Sequence, residues 1–147
     1  MELPFHPPKT REPEHGEREI FCQIRKKWLV YTNEEVVRQA LVQYLVEDKA
    51  VPKSLIAVER QVTCGKRPRR FDVCVLNPDG EAQLVAECKA PEVPLSAETL
   101  RQIGEYNLTL SADWLLITNG GMLRIFHRPE GERLFRQGSE LPPHSEW

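Results

Sequence analysis

Three charged residues stand inside otherwise apolar, extended runs: Asp72 in Arg70-Phe71-Asp72-Val73, and Glu87 and Lys89 in Val85-Ala86-Glu87-Cys88-Lys89-Ala90. Side chains alternate across a strand, so Glu87 and Lys89 share one face and Ala86 and Cys88 the other. Between the two runs, Asn77-Pro78-Asp79-Gly80 is a strong turn signal. With the tip between Asp79 and Gly80, Asp72 pairs with Glu87 and Cys74 with Val85, and directly opposed Cβ atoms lie about 4.5–5.5 Å apart. Two carboxylates held that close repel, so either one takes a proton or both share a cation. A hard divalent ion such as Mg²⁺ satisfies both, with water completing its octahedron. A register slip of one residue separates the acids, whereas a slip of two keeps them on one face. The competing reading is purely structural, an Asp72–Lys89 or Glu87–Arg70 ion pair at the strand ends.

A preceding helix supplies a further acid. Thr32 with Glu35 three positions on reads as a capping box, and Val37, Leu41, Tyr44 and Leu45 form an apolar stripe. Pro52 places the helix end near 49–51. With Glu35 taken as the reciprocal partner of Thr32, Glu34 lies beside the stripe and can reach inward, with Arg38 one turn later. The alternative is a simple i,i+4 Glu34–Arg38 pair worth a few tenths of a kcal/mol.

The remaining elements place these groups. Leu55 to Thr63, Arg70 to Asn77 and Gln83 to Ala90 read as three strands of an antiparallel meander. Ser96 opens a second helix through about Leu110, with Leu100, Ile103, Tyr106, Asn107 and Leu110 inward. Trp114 to Thr118 reads as a strand buried on both faces, and Leu123 to His127 as a last short strand. The order predicts an α/β fold, a single-domain mixed β-sheet with flanking helices, containing one parallel crossover that is right-handed by rule. Residues 1–18, rich in proline, read as a mobile or surface-lying arm. Residues 19–128 read as the domain, and 129–147 as an extension or tail.

Composition narrows the classes. A chain of 147 residues suits one core. No apolar run approaches the roughly 20 residues a membrane span needs, and Met1 to Glu14 does not resemble a secretion signal, so a cytoplasmic protein without membrane association is expected. Cys22, Cys64, Cys74 and Cys88 form no CxxC pair and read as reduced thiols. Net charge is −2, so any nucleic-acid contact must come from a local patch; Arg60, Lys66, Arg67, Arg69 and Arg70 provide one, unless they are merely a solvated hairpin tip. Cys22 or Cys88 as a nucleophile is a poor reading, because Cys88 points away from the charged face and no histidine is placed beside it.

Taken together, Glu34 on a helix, then Asp72, then Glu87-Cys88-Lys89, in this element order, resembles the PD-(D/E)XK nuclease superfamily. More narrowly, Glu34-Glu35-Val36-Val37-Arg38-Gln39, Pro52-Lys53-Ser54-Leu55-Ile56, Arg70-Phe71-Asp72 and Val85 to Pro91 resemble the N-terminal nuclease domain of type I restriction-enzyme R subunits. Gln102-Ile103-Gly104-Glu105-Tyr106 matches that family's Gln-x-x-x-Tyr element, and Thr118-Asn119-Gly120 the end of its next strand. The resemblance covers roughly residues 30 to 128. No proline precedes Asp72, and 147 residues leave no room for a helicase motor, so the chain reads as a free-standing module. The resemblance implies a restriction-endonuclease-like core that hydrolyses DNA with Mg²⁺ (or Mn²⁺). In it, Asp72, Glu87 and the Cys88 carbonyl would be metal ligands, and Glu34 would support a second metal or its water. Lys89 would orient the attacking water, with Gln102 and Tyr106 at the phosphate or positioning the site. Lys66, Arg67, Arg69 and Arg70 would lie on the DNA backbone, and a protein partner would supply specificity or a motor. The other class it allows is a non-catalytic DNA- or protein-binding module of a restriction or defence assembly that keeps the fold.

Overall fold

A computed structural model describes residues 1–4, 6–64 and 67–147, with the backbone alone described for 61–64 and 67–69. Eleven strands and two α-helices are present among them. Thr10–Arg11 (β1), Glu19–Cys22 (β2) and Lys27–Val30 (β3) form a small antiparallel sheet ahead of the first helix, α1 (Asn33–Glu47). Ile56–Val58 (β4) follows, then a separate two-stranded hairpin of Gln61–Cys64 (β5) and Arg67–Arg70 (β6). Val73–Leu76 (β7), Ala82–Cys88 (β8), the second helix α2 (Ala97–Leu110), Trp114–Thr118 (β9), Leu123–His127 (β10) and Arg136–Gly138 (β11) complete the chain.

The main sheet is six-stranded and mixed, in the order β11-β10-β9-β8-β7-β4, with β8 and β9 parallel. Alternation along its strands builds two cores, one on each face. Val73, Val75, Leu84, Ala86, Cys88 and Leu116 pack with Val37, Leu41 and Leu45 of α1. Cys74, Val85, Leu115 and Ile117 pack with Ile103 and Tyr106 of α2. Helix, sheet and helix thus stack as three layers, the arrangement a sheet buried on both faces requires. No described helix is long and apolar enough to cross a membrane.

The predicted meander is interrupted. Neither Leu55 to Thr63 nor Arg70 to Asn77 is one strand, because Glu59 takes a left-handed backbone (φ 51°) and the chain bends again at Asp72. The β5–β6 hairpin consequently leaves the main sheet. Outside the 19–128 segment, Leu3 and Leu141 are buried in the α1-side core, and β11 adds the sixth strand. Cys22, Cys74 and Cys88 are free, buried thiols.

Candidate functional site

The register between β7 and β8 is the one that brings the acids together. Val73 lies opposite Ala86 and Cys74 opposite Val85, so Asp72, one residue before β7, comes level with Glu87. Both carboxylates are buried, with Asp72 8% and Glu87 7% exposed. The site lies where β7 begins and β8 ends, within reach of both helices.

Each Asp72 oxygen has a partner. Oδ1 accepts from Arg38 Nη2 at 2.8 Å, and Oδ2 accepts from the Cys88 backbone N–H at 2.8 Å. The Asp72 side chain therefore ties the start of β7 to the end of β8 as well as placing a charge beside Glu87. Glu87 is less well served: Oε1 lies 3.3 Å from Lys89 Nζ, while Oε2 is buried and no nitrogen donor reaches it. Burial, and then the neighbouring Asp72 charge, push the Glu87 carboxyl up to about 8, an effect Lys89 only partly offsets. Asp72 also engages Glu87 by a side-chain hydrogen bond that favours the protonated form, so a proton bridges the carboxyl pair as it stands. With that proton lost, its oxygens are a donor set that suits a hard divalent cation.

Lys89 extends this face toward α2. Its amine reaches Gln102 Oε1 at 3.2 Å, so one turn of α2 fixes the lysine beside Glu87. Its backbone N–H bonds the Thr118 carbonyl at 2.8 Å, continuing the parallel ladder past the end of β8. Tyr106, one turn after Gln102, is 8% exposed and packed in the α2-side core. Cys88 faces the opposite core; burial, with the Asp72 charge, raises its thiol well above the usual range, which makes it a poor nucleophile.

On the α1 side the arrangement differs from the sequence reading. Thr32 Oγ1 does accept from the Glu35 N–H at 3.0 Å, but the Glu35 side chain does not close a capping box. Instead it turns into the protein, where it accepts from Arg25 Nη2 at 2.5 Å, from Gln39 Nε2 at 3.0 Å and from Arg38 Nη1. The helix keeps half its cap and spends the other acid on buried guanidinium groups. Glu34, with a side chain 48% exposed, reaches the site through Arg38 Nη2 at 2.9 Å, so the i,i+4 pair and the inward reach are the same contact. Neither alternative pair at the strand ends forms as read, since Asp72 takes Arg38 and Lys89 takes Glu87.

Glu59 is a residue the sequence reading missed. Its carboxylate joins Arg25 at 2.8 Å to Arg38 at 3.1 Å, and its N–H bonds the Asp72 carbonyl at 2.9 Å. The available signal was an acid immediately after the buried β4 run. Among the described residues, no three His, Cys, Asp or Glu side chains form a ready-made ion site with Arg38 in place. Arg38 occupies the space among Glu34, Glu59 and Asp72.

Of the basic patch, Arg70 is exposed at the end of β6. Lys66 lies outside the described residues, as do the side chains of Arg67 and Arg69. Thr118-Asn119-Gly120 is a structural turn. Thr118 Oγ1 accepts from the Gly120 N–H at 3.0 Å and donates to the Met122 carbonyl at 2.8 Å, while Asn119 Nδ2 donates to Val93 O at 2.9 Å, pinning the loop that follows Lys89.

None of the curated proteins compared matches the chain. The family described as Type I restriction enzyme R protein N terminus (HSDR_N) matches residues 33–142, a span running from the first residue of α1 past β11. That span holds Glu34, Arg38, Glu59, Asp72, Glu87, Lys89 and Gln102 in one continuous match, so the chain belongs to the family of type I restriction enzyme R protein N termini.

Proposed function

We propose that this domain hydrolyses DNA phosphodiester bonds with a divalent cation, Mg²⁺ or Mn²⁺, held by Asp72 and Glu87 with the Cys88 carbonyl as a further oxygen. The observation that carries the reading is the buried Glu87 carboxyl beside the buried Asp72 carboxylate. When bound, the cation would lower the pKa of a water and offset charge on the scissile phosphate. The chain's own groups do the rest. Lys89, steadied by Gln102, presents a cation on the face that Glu87 occupies, where it can orient a water and counter charge growing on a phosphate. Gln102 acts through Lys89, and Tyr106 holds α2 against the sheet. Glu34 acts through Arg38. Arg70, with Lys66, Arg67 and Arg69, is assigned to the DNA backbone, a contact that positions without reading sequence. In this reading a protein partner supplies sequence choice or a motor, and the domain works in the cytoplasm.

One observation favours a second reading, a non-catalytic module docking DNA or protein. Both Asp72 oxygens already have donors, so this half of the site is satisfied without a cation.

The test is a nicking assay on supercoiled, linear and single-stranded DNA with Mg²⁺, Mn²⁺ or chelator, comparing wild type with Asp72→Asn and Lys89→Ala. Asn is chosen at 72 because its carbonyl can still accept from the Cys88 N–H. Cation-dependent cleavage lost in both variants is the expected result. Equal cleavage by wild type and Asp72→Asn, or none by wild type under any condition, would sink the catalytic reading.

A further inference from the structure

Three carboxylate oxygens from three different parts of the chain meet at one nitrogen. Arg38 Nη2 lies 2.9 Å from Glu34 on the same helix, 3.1 Å from Glu59 just after β4, and 2.8 Å from Asp72 just before β7. A guanidinium nitrogen of this kind carries two hydrogens, so it cannot donate a full hydrogen bond to each of three acceptors. Its Nη1 is committed to Glu35, and its Nε is buried with no partner. This side chain is held by the convergence of negative charge more than by hydrogen-bond complementarity. Acids grouped around a point serve a radially coordinating ion better than a planar fork.

Glu59 holds φ at 51°, a left-handed backbone shared among the described residues with Lys26, Ala50 and Ser111. That conformation accompanies both the bond to the Asp72 carbonyl and the carboxylate's contact with Arg38. On the other side of Asp72 lies the buried Glu87 carboxyl, whose Oε1 is 3.3 Å from Lys89 Nζ.

We infer that Arg38 is a resident cation standing where a second divalent ion would sit, among Glu34, Glu59 and Asp72. The domain accordingly takes one exogenous ion, at Asp72 and Glu87, and not two. Arg38 is a positioning residue in this scheme: it fixes the orientation of Asp72 Oδ1 and supplies a permanent charge that no chelator can remove. The inference rests on the reading above only for the ion at Asp72 and Glu87; the vacated Arg38 position is a separate prediction about the chain's own acids.

The experiment counts Mn²⁺ per chain, by equilibrium dialysis with electron paramagnetic resonance of the free ion. It compares wild type, Arg38→Met, Arg38→Lys and the double variant Arg38→Met/Glu59→Gln. Wild type should bind one ion, Arg38→Met two, and Arg38→Lys one, because an ammonium refills the same place. The double variant should return to one, because an amide removes the charge that holds the added ion. If wild type binds none and Arg38→Met binds one, the resident-cation inference stands while the metal-dependent nuclease reading falls. Equal counts in wild type and Arg38→Met overturn the inference, as do two ions in wild type or two in the double variant. Because Arg38→Met leaves its acids without their guanidinium in chelator, its circular dichroism is followed as Mn²⁺ is added. Folding restored by millimolar Mn²⁺ supports the inference, and a chain that stays unfolded there while Arg38→Lys folds overturns it.

Discussion

Arg38 Nη2 lies 2.8 Å from Asp72 Oδ1, so the counter-ion of this carboxylate comes from α1 and not from Lys89. Two sets of ion pairs therefore meet at one strand end, coupled through the Asp72 charge beside Glu87. Asp72 belongs with Arg38, Arg25, Glu34, Glu35 and Glu59. Glu87 belongs with Lys89 and Gln102.

The first set predicts a contrast between adjacent glutamates. Glu35 is buried and serves Arg25, Arg38 and Gln39, so Glu35→Ala leaves two guanidinium groups short of a partner. Breaking a buried pair from one side costs about 3–5 kcal/mol. Glu34 is half exposed, and Glu34→Ala should change stability by under about 1 kcal/mol. Urea unfolding of both variants checks this; a Glu35→Ala loss no larger than that of Glu34→Ala would contradict the burial argument.

The second set predicts an inverse dependence of stability on pH without added cation. The folded Glu87 carboxyl holds its proton up to about 8, whereas the ordinary value is 4.5. Between those values the native state retains a proton that the unfolded chain has lost. This contribution is therefore favourable at the acid end, fades as pH rises through the window, and is gone above about 8. Its slope is at most about 1.4 kcal/mol per pH unit. Glu87→Gln should remove it, as read by urea midpoints at pH 5 and pH 8 in chelator; an unchanged slope in that variant would assign the effect elsewhere.

Gln102→Leu tests the positioning of the lysine. Losing the acceptor 3.2 Å from Lys89 Nζ frees the amine on the Glu87 face. Cation-dependent cleavage should fall about tenfold, equivalent to about 1.4 kcal/mol at the barrier, with the urea midpoint unmoved. Wild-type turnover in this variant would show that Lys89 does not depend on Gln102.

Gly120→Ala probes the turn beyond β9. Gly120 has φ 91°, and an added Cβ would come within 3.4 Å of Val37 Cγ2, backing onto α1 at the level of the site. A destabilisation above about 1 kcal/mol is expected from the backbone conformation and this contact together. A neutral substitution by urea unfolding would mean that the turn relaxes freely.

Much of this arrangement was legible in the amino-acid order because it is local. The β7–β8 pairing read from residue numbers holds at Asp72 and Glu87, and alternation put Lys89 on the Glu87 face. The Asn77 to Gly80 turn does not fix that pairing alone: beside the turn Leu76 pairs with Ala82, one residue off, and an irregularity between Val75 and Leu76 restores the register. The helix around Val37 and Leu41 and the parallel β8–β9 pair followed from periodicity in the same way. What depended on side-chain reach between distant elements was not legible. Arg25, in the turn after β2, meets Glu35 and Glu59, and no spacing rule links those positions. Glu35 was assigned to its cap because capping is a short-range rule, and a buried guanidinium pair outweighed it. The single strand expected from Leu55 to Thr63 breaks at Glu59, whose left-handed backbone carries no compositional mark of the glycine or asparagine kind. Leu141 sits in a Pro-rich, charged stretch that reads as a tail, yet one fully buried leucine anchors it to the core.

Asp72 has two occupations, since its Oδ2 holds the Cys88 N–H while its Oδ1 meets Arg38. A lineage that abandoned cleavage would still be under pressure to retain an oxygen acceptor at position 72 for architecture alone. The Lys89 amine meets the Glu87 and Gln102 side chains and holds no backbone group in place. Among relatives that share this arrangement, the lysine and not the aspartate is therefore the informative marker of retained chemistry.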